Sequence, residues 1–239
     1  MNNIQYIFKK WAGIIGSVCL PALMLSSCVK NNNNTVQPAG ATLAVIDASP
    51  DAPSFDFYLG YNQVNSVPLI YSQGIYYFNA PAGKSAAIFY DTGTRTKVVT
   101  DSITLAVNRS YSLFICNVIA TPDFVLLADT VNQPAAGMGS IRFVDLSPDA
   151  PAVDFVIRNG ASLVTSKTYK SFSTFVPILV KSNDTLDVRQ AGTTTVLASI
   201  PGISIQEGSV YTVWLEGLYN TTNASEKIGL NIMINANFY

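Results

Sequence analysis

The chain has 239 residues, 49% of them hydrophobic and only 12% charged, and 14 basic groups face 15 acidic ones for a net charge of −1. That much apolar material excludes a disordered tail, and the balanced charge excludes a nucleic-acid partner, which needs a basic stripe. Histidine is absent, which removes the commonest general base and transition-metal ligand.

At the N-terminus, Lys9 and Lys10 precede an apolar run from Trp11 to Leu25, interrupted by Gly13, Gly16 and Pro21. The run is shorter than the ~20 residues of a spanning helix and suits the apolar region of a secretory signal. It ends in Leu25-Ser26-Ser27-Cys28, which resembles the bacterial lipoprotein signal. The resemblance implies a signal peptide over residues 1–27, removed before Cys28, and acyl chains on Cys28 as the lipid attachment. Acyl chains partition into a bilayer by ~0.8 kcal/mol per buried methylene, so two or three anchor a protein stably. The expected location is therefore the bacterial cell envelope, at the outer membrane, with the periplasmic or surface side left open.

Residues 28–40 are polar, lack a hydrophobic period and include Pro38 and Gly40. They read as a flexible tether. Cys19 would leave with the signal and Cys28 would be acylated, so Cys116 would have no disulfide partner. It lies in Leu113-Phe114-Ile115-Cys116 and reads as a buried thiol packing as a small hydrophobe. A nucleophilic thiol would want a histidine beside it.

Beyond the tether, the apolar stretches are short, β-branched or aromatic, and bounded by turn residues. Thr42 to Ile46, Phe55 to Leu59, Ala86 to Tyr90, Lys97 to Thr100, Ile103 to Val107 and Tyr111 to Cys116 read as strands. Asp91-Thr92-Gly93-Thr94 and Val107-Asn108-Arg109-Ser110 read as turns. Between the first two strands lies Ser49-Pro50-Asp51-Ala52-Pro53, which returns as Ser147-Pro148-Asp149-Ala150-Pro151 with its flanking apolar residues, at an offset of 98. Later matches drift by two residues: Tyr111-Ser112-Leu113-Phe114-Ile115 lies over Tyr211-Thr212-Val213-Trp214-Leu215. A whole module is repeated, not just a motif. The segment 131–139 carries Pro134, Gly137 and Gly139 and reads as the linker. The last strand is expected over Gly229 to Phe238. The expectation is an all-β chain of two tandem immunoglobulin-like or transthyretin-like β-sandwich domains, residues 41–131 and 139–239, after the signal and tether.

The repeated Ala/Leu-Ser-Pro-Asp-Ala-Pro, followed by the alternating strands Phe55-Asp56-Phe57-Tyr58 and Val153-Asp154-Phe155-Val156, resembles the bacterial domain-of-unknown-function family numbered 4397. The resemblance spans about residues 41 to 239 in two copies. It implies an exported or envelope-anchored β-domain and names no activity.

The turn itself is expected to be structural. Pro50 and Pro53 fix their own φ and hold Ser49 and Ala52 extended, while Asp51 can accept backbone N–H bonds in an Asx-type turn. Pro148, Pro151, Ser147 and Asp149 repeat this corner. Asp47, Asp51 and Asp56, like Asp145, Asp149 and Asp154, raise the alternative of calcium, but they lack the spacing and glycine of a known calcium loop. No metal and no cofactor is expected. No nucleophile elbow, phosphate-cradling loop or metalloprotease helix is present, which leaves only an unrecognised carboxylate site as a route to hydrolase chemistry. The functional reading is a non-catalytic, lipid-anchored binding or adhesion module, with a scaffolding lipoprotein as the alternative. Tyr71-Ser72-Gln73-Gly74-Ile75-Tyr76-Tyr77-Phe78 puts four aromatics in eight residues. Tyr71, Tyr76 and Tyr77 are therefore the expected ligand face, for a glycan or an envelope protein. Asp101-Ser102-Ile103, Asp129-Thr130-Val131 and Asp184-Thr185-Leu186 resemble a bacterial O-glycosylation acceptor.

Overall fold

The computed structural model describes residues 40–238. The expected signal peptide, the expected lipid attachment at Cys28 and all but the last residue of the expected tether lie outside the described residues. Within them every regular element is a strand. In the first half these are β1 (Gly40–Asp47), β2 (Phe55–Leu59), β3 (Asn62–Gln63), β4 (Gly74–Pro81), β5 (Gly83–Asp91), β6 (Lys97–Leu105), β7 (Ser110–Cys116) and β8 (Asp123–Ala128). In the second they are β9 (Met138–Asp145), β10 (Val153–Ile157), β11 (Ser162–Lys167), β12 (Val176–Leu179), β13 (Lys181–Gln190), β14 (Val196–Ile205), β15 (Ser209–Glu216) and β16 (Gly229–Asn237).

They form four sheets, and the order repeats: β4-β1-β7-β8 and β3-β2-β5-β6 in the first half, β12-β9-β15-β16 and β11-β10-β13-β14 in the second. In both halves the first strand pairs parallel to the seventh, β1 to β7 and β9 to β15. The two stretches expected over Lys97 to Thr100 and Ile103 to Val107 are one strand, β6, because the intervening Asp101 and Ser102 continue the ladder with β5. Period-2 reading missed β4, whose burial does not alternate cleanly, and β8.

Each pair of sheets closes on its own core. Leu43 and Val45 of β1, with Leu113 and Ile115 of β7, meet Phe55 and Phe57 of β2 and Phe89 of β5. Ile141, Phe143, Val213 and Leu215 meet Val153, Phe155, Leu186 and Val188 in the same way. Phe55 and Phe89 pack edge to face at 5.3 Å, whereas Phe143 and Phe155 stack at 4.9 Å. The opposite faces of β1 and β7 are also apolar. Ala44, Ile46, Phe114 and Cys116 make a third cluster with Val144, Leu146 and Trp214 of the second half. The two inner sheets therefore pack against each other, and the layers stack as four sheets in one compact body.

The packing has a pseudo-twofold character. Phe114 and Trp214 occupy equivalent positions in the two halves and touch each other, with centroids 5.7 Å apart. The Tyr71–Ser72 turn of the first half reaches Glu216 at the end of β15. Its counterpart, Tyr169–Lys170, reaches Cys116 and Asp123 of β7 and β8. Contacts of i with j′ and j with i′ define an isologous interface, here within one chain.

Candidate binding site at the seam between the two sandwiches

The repeated turn joins β1 and β2, which lie in different sheets, so it is a sandwich corner. Its cap differs from the expected one. Ser49 N–H donates to Asp47 Oδ1 at 2.9 Å, and Ser147 N–H to Asp145 Oδ1 at 3.1 Å. Asp51 does not cap its own turn; it accepts from the distant Ile119 N–H at 2.7 Å, and Asp149 accepts from Tyr219 and Asn220. The reason is direction: Pro50 turns the chain so that Asp51 faces the loop after β7 while Asp47 stays under the turn. Ser49 Oγ donates to Asn117 O at 2.6 Å and Ser147 Oγ to Gly217 O at 2.7 Å. Asn117 and Gly217 both adopt positive φ, 68° and 83°, a conformation that Asn and Gly reach at least cost.

Asp56 accepts from Gly93 N–H, and Asp154 from Gly192 N–H and Ser166 N–H. Each carboxylate of the two triplets thus serves a different backbone donor. Among the described residues no group of three or more His, Cys, Asp and Glu side chains is placed to hold a metal ion. Asp47 and Asp145 are both fully buried, and in each the Oδ2 atom has no partner. Burial pushes the Asp47 carboxyl up to about 8 and Asp145 to about 7. Glu216, across the seam, adds repulsion to Asp47. Its own carboxyl is raised to about 6 by burial, offset in part by bonds from Ser72, Trp214 and Asn231. This pair is sealed from solvent, 0% and 3% exposed, so it offers no substrate-accessible acid and base.

The expected tyrosine face is divided. Tyr76 is 85% exposed, whereas Tyr71 and Tyr77 are half-buried. Tyr77 O–H donates to Asp129 Oδ2 at 2.7 Å and accepts from Asn235 Nδ2 at 2.8 Å, so it ties the two halves together. Asp129 also receives the Ser112 hydroxyl and pairs with Arg142 at 2.6 Å. Arg142 donates further to Thr212 and lies 4.7 Å over the Phe175 ring. Burial is the main force raising the Tyr71 and Tyr77 phenols above their ordinary value. The corrected picture is a single exposed ring, with its neighbours engaged in the seam. β4 alternates its side chains, so Tyr76 and Tyr77 must point opposite ways. Cys116 is fully buried in the seam cluster, its thiol pushed up to about 12 by burial.

Tyr76 borders a groove of about 200 Å³ between β4 and β16. Ile46, Trp214 and Met233 line it, together with Gln73, Tyr76 and the exposed Ile234. Sequence reasoning found Tyr76 and the last strand, β16, but not that β16 forms the opposing wall, because only tertiary packing brings residues 231–234 against β4. Of the glycosylation-like triplets, Ser102 and Thr130 are exposed and Thr185 is partly covered.

Residues 41–156 match the family model described as "Domain of unknown function (DUF4397)". The match covers the first sandwich and continues through β9, the second corner and most of β10. No curated protein matches the chain. Among solved structures, the chain is similar to a family 26 carbohydrate-binding module from Eubacterium rectale Amy13K in complex with maltoheptaose. That likeness has 10% identity, covers 82% of this chain and 97% of that one, and has a TM-score of 0.26. It is also similar to a streptococcal virulence factor solved for α-glucan binding, at 11% identity, 80% and 97% coverage and TM-score 0.24. Family 41 carbohydrate-binding modules from streptococcal virulence factors match at 10% identity, 80% and 96% coverage and TM-score 0.23. At such TM-scores the likeness carries no argument about a ligand.

Proposed function

We propose that the protein is a non-catalytic binding module of the bacterial cell envelope, two copies of one family domain fused face to face, held to the membrane by acylated Cys28. Its ligand is a neutral saccharide that docks at the groove bordered by Tyr76. The observation that carries this reading is the Tyr76 ring, 85% exposed beside an apolar floor. An exposed aromatic of this kind stacks on the C–H face of a sugar while its hydroxyl stays wet. Gln73, exposed on the same rim, supplies an amide that both donates and accepts. Isothermal titration with neutral gluco-, manno- and xylo-oligosaccharides tests the reading. Binding by the wild type and its loss in Tyr76→Ala are expected; no heat with any of them overturns it.

The lipid anchor has its own test. Labelled palmitate is expected to enter the full chain and to be lost in Cys28→Ser; equal labelling of both removes the anchor. A scaffolding role is favoured by a different observation: the hydrogen-bonding side chains of the repeated corners all serve internal bonds. Failure of saccharide binding would leave that role as the reading of the fold.

A further inference from the structure

The pseudo-twofold relation puts a second groove at the opposite edge of the seam. Tyr76 and Tyr77 of β4 have Thr174 and Phe175 as counterparts before β12, and Ala44 has Arg142. The register supports this, since Phe78 pairs with Leu43 as Val176 pairs with Ile141. The second groove is larger, about 460 Å³, and its chemistry differs. Phe172 stands on its rim, 51% exposed, with its backbone bridged to Val144. Phe175 lies inside, with one face covered by Arg142 at 4.7 Å. The guanidinium is 2% exposed and neutralised by Asp129, so the wall carries no net charge toward a ligand. Thr130, Asn132, Gln133 and Thr174 also line the groove. All four are exposed, and their side chains make no hydrogen bond among the described residues.

An exposed ring beside two amides and two hydroxyls, with the only charge paired behind them, matches a molecule with an apolar C–H face and a rim of neutral hydroxyls. An anion would find the guanidinium already paired, and a cation would find no free carboxylate. We propose that this groove is a second subsite for a neutral saccharide, with Phe172 as the stacking platform and Asn132, Gln133, Thr130 and Thr174 as hydroxyl partners. It rests on the saccharide reading of the Tyr76 groove and extends it: the protein holds two sugar subsites of unlike polarity, one at each edge of the same rigid seam. A long polysaccharide or two chains would then be held bivalently, which raises avidity without new contacts.

The test is an NMR titration of residues 36–239, which contain the whole described body, with the same oligosaccharides, following backbone amides at both grooves. Two separate sets of shifted amides are expected in the wild type, around Gln73–Tyr77 and around Phe172–Phe175. Phe172→Ala is expected to weaken the second set by at least about tenfold and to leave the first unchanged. Thr174→Val, which keeps size and loses the hydroxyl's bonding, should weaken the second set alone. Shifts confined to the Tyr76 groove overturn the second subsite and leave the first standing. No shifts with any oligosaccharide overturn both. Because Phe172 is half exposed, Phe172→Ala should leave the core amides in place, so its effect reads binding and not unfolding.

Discussion

Two buried carboxyls, Asp47 and Asp145, set the residue-scale behaviour. Asp47 and Asp145 each spend one oxygen on a corner N–H and leave the other without a partner, inside an apolar surround. Their folded pKa values are raised, to about 8 and about 7. The folded protein therefore keeps protons that the unfolded chain releases from about pH 4 upward. The stability these groups contribute is complete below about pH 4 and is lost as pH rises through the folded values, by up to about 1.4 kcal/mol per carboxyl per pH unit. Asp123 acts in the opposite sense. Burial alone would raise it, but Lys170 and Tyr169 outweigh that and hold it below its ordinary value. Variant differences are thus more telling than the wild-type curve. Asp47→Asn keeps the Oδ1 acceptor for Ser49 and removes the ionisation. The melting temperature of this variant is expected to exceed the wild type's increasingly from pH 5 to pH 8; parallel curves would sink the assignment. Tyr77→Phe removes one hydroxyl from a network of Asp129, Ser112 and Asn235. It leaves buried polar atoms short of a partner and should cost about 1–3 kcal/mol in denaturant unfolding.

At the scale of elements, the inner strands are what distinguish this chain from two separate sandwiches. Every residue of β15 is buried, and so are all but two of β1. A strand buried on one face alternates; one buried on both reads as a continuous apolar run. Leu43-Ala44-Val45-Ile46 and Val213-Trp214-Leu215 are such runs, with odd and even members in different clusters. Trp214 fills the seam, and its Nε1–H donates to Glu216 at 2.6 Å. Trp214→Ala should destabilise by about 3–5 kcal/mol through lost apolar burial and the cavity left behind. Because the cavity lies between the halves, calorimetry should also show one transition becoming two. A single, merely shifted transition would mean that the halves are coupled elsewhere.

For the whole molecule, the question is why two copies occur in one chain. A single copy would expose Ala44, Ile46, Phe114, Val125 and Leu127 to water, an apolar face of the kind that marks interfaces. The second copy covers it, and the short connection between β8 and β9 keeps the local concentration of partner high. A chain ending at residue 131 is therefore expected to self-associate through the same face, as an isologous dimer or a larger aggregate. Analytical ultracentrifugation showing a monomer at micromolar concentration would contradict this. Arg142 and Asp129 hold the orientation, since both are buried and each is the other's charge partner. Arg142→Ala strands the carboxylate and should cost about 3–5 kcal/mol.

Most strands, the sequence repeat and the sandwich class were legible in the sequence, because period-2 patterning and turn chemistry are local, whereas β4 and β8 were not. Ser49, Pro50 and Pro53 mark the corner in the sequence itself. The ligand face was legible only in part: the sequence singles out Tyr71, Tyr76 and Tyr77 alike, and a strand's alternation sends Tyr77 into the seam while Tyr76 stays in water. Which aspartate caps the corner was decided by chain direction after Pro50, and the opposing β16 wall by packing across more than 150 residues. Composition and pattern by themselves thus determined that this is a doubled β-sandwich. Only the tertiary structure decided that the copies face each other, because burying a second apolar face requires a partner that no local signal names.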